Sequence, residues 1–196
     1  MAAGQVTTGF SKPYVALYSI SNGAITYTGG MVLARGVNVN VEPETSDDNN
    51  FYGDNIVAEK DAGKFSTGTL TLTVDGLKIA AEKMIMGIPD PDTDGWASYD
   101  DDQAIPEVGV GFIRRTREAG VDYYIPYVLA RVTFNQIPVS ANTQEETIDW
   151  QTTELSGKID RAEDAKHTWR WIGDRVSTEA AAEAALQAKL GITTSG

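Results

Sequence analysis

Residues 121–159 read VDYYIPYVLARVTFNQIPVSANTQEETIDWQTTELSGKI, and no other stretch limits the fold more. The first half gathers Tyr123, Tyr124, Ile125, Tyr127, Val128, Leu129, Val132 and Phe134 into one β-prone run. A strand sends successive side chains to opposite faces. A half-solvated strand therefore alternates apolar with polar residues, and this run does not. It needs protein on both sides, either a second layer of its own domain or a neighbouring subunit. The second run, 145–159, is polar, with well-spaced apolar residues and a change of parity near 151–153 that calls for a bulge or break. The pair reads as an antiparallel ladder at the centre of a β-domain. Pro126 within the first run suggests a bulge or an edge, because proline cannot donate to a ladder.

Further strands are expected at 13–19, 31–42, 65–75, 106–118 and 167–172. Val37, Val39 and Val41 share one parity in the second of these; Leu70, Leu72 and Val74 share one in the third. In the last, Trp169 and Trp171 are expected on one face. Asn22-Gly23 and Gly29-Gly30 are turn signals. Residues 77–86 have helical spacing, with Asp75 as a plausible N-cap and Gly87 and Pro89 at the end. A second helix follows Ser177 or Thr178, with acid early, Lys189 late and Gly191 just past the end. The expected fold is mainly β (α+β). It is a β-sandwich or open barrel of about six to eight strands, with a short flanking helix and a C-terminal helix. All 196 residues are expected to form one domain. Two acidic excursions interrupt it: an arm at 43–64 with an apolar island (Phe51, Tyr52, Ile56, Val57), and a loop at 90–103. The arm reads either as a solvated excursion or as a segment ordered by another subunit, its island the anchor.

Composition removes several chemistries. Cysteine is absent and His167 is the single histidine, so disulfides, Cys/His catalysis and multi-histidine metal sites are excluded. No Walker, dinucleotide or G-x-S-x-G pattern occurs. The formal net charge of −12 argues against binding nucleic acid by phosphate neutralisation. Arg114, Arg115 and Arg117 are expected to pair with neighbouring carboxylates instead. Asp90, Asp92, Asp94 and Asp101, around Gly95, match positions 1, 3, 5 and 12 of a calcium loop. Position 12 is a short Asp, and no exiting helix follows. No apolar run approaches the roughly 20 residues of a membrane span. The N-terminus lacks the pattern of a signal peptide, so the chain is expected to be made and kept in the cytosol unless it leaves within a larger assembly.

Three segments carry a resemblance: GFSKPYVALYS near the start, GDNIVAEKDAGKFSTGTLTLTVDGL before the first helix, and YYIPYVLARVTFNQIPVSANTQEETIDWQTTELSGKI. In order and pattern they resemble the major tail proteins of long-tailed, non-contractile bacteriophages, over nearly the whole chain. The resemblance implies a structural virion protein, not an enzyme. Its copies form six-membered rings by joining sheets into an inner barrel, and the rings stack into a tail tube that conducts phage DNA without sequence-specific binding. It implies assembly in the host cytoplasm, residence in the virion tail, no membrane anchor, no cofactor, and contact with tape measure and tail terminator proteins. The arm residues Phe51, Tyr52, Asp54, Asn55, Ile56 and Val57 become contacts between rings. Glu145, Glu146, Asp149 and Glu154 become candidates for the lumen. Six copies would carry roughly −72, a repulsive field for phosphate. The competing readings are a calcium-dependent binding module built on Asp90–Asp101 and a hydrolase on a β-scaffold.

Overall fold

The computed structural model describes residues 4–53, 56–141, 143 and 151–193, with the backbone alone at 49–53 and 56–61. The strands are β1 (Val6–Ser21), β2 (Ala24–Val32), β3 (Gly36–Thr45), β4 (Asn49–Gly53), β5 (Ile56–Asp61), β6 (Phe65–Val74), β7 (Val108–Glu118), β8 (Val121–Phe134), β9 (Thr153–Asp160) and β10 (Arg170–Ile172). The helices are α1 (Ile79–Met86) and α2 (Glu179–Lys189). One antiparallel sheet of eight strands has the order β2-β1-β7-β8-β9-β6-β3, with β10 pairing beside β9 on β8. The chain is mainly β, an open, curled sheet with two short helices, as expected.

The sheet curls until β3 approaches β1, with the Phe10 ring lying over Gly36. The enclosed core holds Val15, Leu70, Leu72, Val74, Val108, Leu129, Val132, Phe134, Leu155 and Ile159, with Ala81, Ile85 and Met86 of α1 against them. The strands contribute alternate residues to it, as the pleat requires, and β8 changes parity between Leu129 and Val132, where its pairing with Val110 and Val108 shifts register. A second cluster lies on the other face of β1, β7 and β8. There Tyr14, Ala16, Ile113 and Val128 meet Ala182, Leu186 and Leu190 of the C-terminal helix. The doubly apolar β8 is thus explained within one chain: its second face is covered by α2. No neighbouring subunit is needed to bury it.

Glycine positions α2. In β7 the residues Val108, Val110 and Phe112 face the enclosed core, while Gly109 and Gly111 alternate with them. A Cβ on Gly111 would stand 2.5 Å from Leu186 Cδ1. The missing side chain lets the helix leucines sink onto the sheet. Thr178 starts the helix, its hydroxyl accepting from the Ala181 N–H at 3.3 Å. Tyr14 ties the seam, donating to Glu183 at 2.6 Å and accepting from Gln187 at 2.8 Å.

Several expectations are corrected. Gly29-Gly30 is not a turn: both lie inside β2, opposite a register shift between Val15 and Leu17 of β1. Gly29 supplies a φ of 65°, so the pair makes a bulge that accommodates extra residues. Val37 does not point inward; a shift between Gly36 and Asn38 leaves it 56% exposed. Asp75 does not cap α1, which begins at Ile79 after Lys78 and has no side-chain cap. Its carboxylate instead accepts from the Arg35 N–H at 3.0 Å. Pro126 causes no bulge, and its pairing with Ile113 is in register. Its carbonyl accepts from the Gly173 N–H, so its missing donor faces the side of β8 where β10 ends. Trp169 and Trp171 go to different layers. Trp169 stacks on Phe65 in the enclosed core at 4.2 Å, whereas Trp171 joins the α2 cluster. The strand starts only at Arg170, so alternation does not govern Trp169. Asn22-Gly23 forms the expected tight β1–β2 turn, with φ of 52° and 73°.

Candidate assembly surface

An open sheet ends in two strands, here β2 and β3. Each presents a row of backbone donors and acceptors toward its outer side, a ready template for another strand. The arm leaves the body between β3 and β6. It is not an irregular excursion: β4 and β5 pair as a separate two-stranded ribbon, with Phe51 opposite Glu59, Tyr52 opposite Val57 and Gly53 opposite Ile56. The base of the ribbon is closed by the Ser46 N–H on the Lys64 carbonyl at 2.8 Å and by the Gly63 N–H on Asp48 Oδ1 at 2.8 Å. A ribbon of two strands outside any core has little to stabilise it alone. Asp54 and Asn55 lie outside the described residues.

Of the four acids suggested for a channel, Glu145, Glu146 and Asp149 lie outside the described residues, as does the first side of the parity change expected near 151–153; residues 151 and 152 are irregular and β9 begins only at Thr153. Glu154 is exposed on β9. It belongs to a polar face that three strands build in cross-strand rows: Asn38–Thr73–Glu154, Asn40–Thr71–Ser156 and Glu42–Thr69–Lys158. Their neighbours of opposite parity, Leu70, Leu72, Val74, Leu155 and Ile159, fill the core. The described face carries both signs of charge.

The 90–103 loop does not gather its carboxylates. Asp92 Oδ1 is taken by the N–H groups of Asp94 and Trp96, at 3.0 and 2.9 Å. Asp90 points to solvent and pairs with Lys83 at 3.5 Å. Among the described residues no group of three or more acids and histidines converges in a way that would hold a metal. His167 sits in a turn at φ 53°, its Nδ1 3.4 Å from the Ala162 carbonyl. The arginines pair as expected: Arg117 Nε lies 2.7 Å from Asp122, which also bonds Arg115. Hydrogen bonds from Arg117 and Arg115 hold the Asp122 carboxyl well below the usual carboxylate range. Arg114 instead lies over the Tyr127 ring at 4.9 Å.

One feature has no linear signature. A cavity of about 630 Å³ opens where β1, the β2–β3 connection and the start of α1 meet. Arg35, Lys78 and Lys12, the last paired with Glu183 at 3.2 Å, bring positive charge to it, Asp75 opposes them, and Val32 and Ala34 supply apolar wall. Three segments distant in sequence contribute, so no motif could reveal it. No helix among the described residues is long and apolar enough to cross a membrane. No protein-family model matches the chain, and comparison with curated proteins found no match.

Proposed function

We propose that this chain is a structural subunit that assembles with its own copies, as a tail tube protein of a long-tailed bacteriophage, into stacked rings around a channel for DNA. The observation that carries this reading is the pair of end strands, β2 and β3, on one open sheet, neither with a further strand partner among the described residues. Two different edges on one subunit make a head-to-tail contact, which closes into a ring when the rotation allows. Strand addition supplies main-chain hydrogen bonds without requiring a special side-chain motif. The β4–β5 ribbon, set apart from the body, suits a contact between rings. The net charge of −12 suits a channel that must not retain phosphate. Tape measure and terminator proteins are the further partners this role entails, and the virion tail the place.

Electron microscopy of the purified chain tests the reading. Rings or tubes about 100 Å across are expected, the width of six domains of this size around a channel. A strict monomer whose melting temperature rises with calcium would sink the proposal and favour an ion-dependent binding module. The ribbon has its own test: Phe51→Ala with Tyr52→Ala should leave the body folded by circular dichroism while tube yield falls. An unchanged yield would remove the ribbon from the assembly contact.

A further inference from the structure

The loop at 90–103 contains six aspartates and neither lysine nor arginine. Within it Trp96 stands 78% exposed, in a turn closed by the Asp92 N–H on the Trp96 carbonyl. A tryptophan that open leaves a large apolar ring without cover. The loop is fixed along its own α1, from Glu82 in the first turn to Met86 at the end. Lys83 pairs with Asp90, Tyr99 donates to Glu82 at 2.9 Å, and Gln103 donates to the Met86 carbonyl. The cationic cavity opens at the other end of α1, beside Lys78. A rise of about 12 Å separates Lys78 from Met86, whose carbonyl Gln103 holds, although Tyr99 bonds Glu82 one turn from Lys78. No residue of the loop lines its own chain's cavity.

We propose that the cavity at Lys12, Arg35 and Lys78 receives the 90–103 loop of a second copy of this chain. The two surfaces are complementary in two respects. Lys78 has no ion pair among the described residues, and the Arg35 side chain is 93% exposed although it touches Asp75 at 3.3 Å. Both cations are therefore available to the aspartates. Asp94, Asp101 and Asp102 are exposed and can reach them without breaking the Asp92 turn. The Val32 and Ala34 wall takes the Trp96 ring, and the Arg35 guanidinium can lie over its face. Donor loop and receiving cavity are different parts of one surface. Each copy gives one loop and accepts one, and the contact repeats around a ring or along a stack. The inference rests on the self-assembly reading and names a contact for it.

Charge swapping tests it. R35E/K78E makes the cavity acidic; D94K/D101K/D102K cancels the loop's net negative charge and puts three lysines at its exposed positions. All five positions are exposed, so both variants should fold. Each alone should need at least about tenfold more protein for half-maximal assembly, measured by sedimentation velocity at low salt. Mixed in equal amounts they should assemble again, because acidic loops meet basic cavities and lysine-bearing loops meet acidic ones. Variants that assemble like the parent chain, or a mixture no better than either component, would overturn the docking proposal and leave self-assembly standing. A fluorescent peptide of residues 88–104 separates the two ideas in the other direction. Its binding, weakened about tenfold or more by R35E/K78E, supports the cavity even for a chain that stays monomeric, an outcome that would sink the assembly reading alone.

Discussion

The two halves of the sheet share one core but differ on their outer faces. Across β1, β7 and β8 the outer face is apolar and carries α2. Across β9, β6 and β3 it is polar, in three cross-strand rows, and no described helix packs on it. Both halves obey the same pleat, so the difference lies in which residues occupy the outward parity. In β7 that parity is Gly109 and Gly111, which admit Tyr27 and the α2 leucines. In β6 it is Thr69, Thr71 and Thr73, which suit a pleated surface facing water. A strand apolar on both faces therefore signals a missing layer, and here the layer comes from the far end of the same chain.

Removing part of that layer gives the largest expected effect. Leu186 is fully buried between Gly111 and the rest of the α2 cluster. Leu186→Ala should cost about 3 kcal/mol in urea unfolding. Hydrogen exchange should rise first in α2 and β10, with β6 and β9 still protected. Uniform loss of protection across both halves would mean that the outer layer and the enclosed core unfold as one unit. A smaller step tests the helix start: Thr178→Ala removes the acceptor for the Ala181 N–H and should cost about 1 kcal/mol. Its effect should again be confined to α2.

The halves were not equally legible. Leu70, Leu72 and Val74 alternate with threonines, and that period alone places β6 correctly. The double apolarity of β8 showed that a second layer exists, but periodicity cannot say which segment supplies it. The C-terminal helix was legible as a helix from Thr178, its alanines and Lys189, yet its docking site depends on Gly111, seventy residues away. Misreadings cluster where a local shift breaks the period. Gly29 and Gly30 resemble a turn until their pairing with β1 is known, and Val37 loses its inward parity to one irregularity in β3. The cationic cavity was not legible at all, because Lys12, Arg35 and Lys78 meet only after the sheet has curled.

An intermediate test concerns the β7–β8 end of the covered half. Asp122 ionises more readily in the folded chain because Arg117 and Arg115 bond its charged form. A lowered folded pKa contributes stability above the unfolded value, about 3.9, and that contribution is lost as pH falls through the folded value. Asp122→Asn should therefore flatten the acid limb of the stability curve below roughly pH 4. The Arg pair is half exposed, so the change should be small and should shrink further in high salt. An acid limb identical to that of the parent chain would remove Asp122 from the account.

The bare half yields the smallest effect on stability and the sharpest contrast with the covered half. Glu154 is exposed in the row with Thr73 and Asn38, and nothing described covers it. Glu154→Lys should change urea stability by no more than about 0.5 kcal/mol. A loss above about 1 kcal/mol would mean that this face is covered in the isolated chain, and the contrast between the halves would fail. If the face lines a channel, the same substitution repeats in every copy and turns a repulsive ring into an attractive one. Assembled tubes should then retain DNA in a salt-dependent way. Tubes of normal yield that release DNA like the parent would place Glu154 away from the channel while leaving the stability contrast intact.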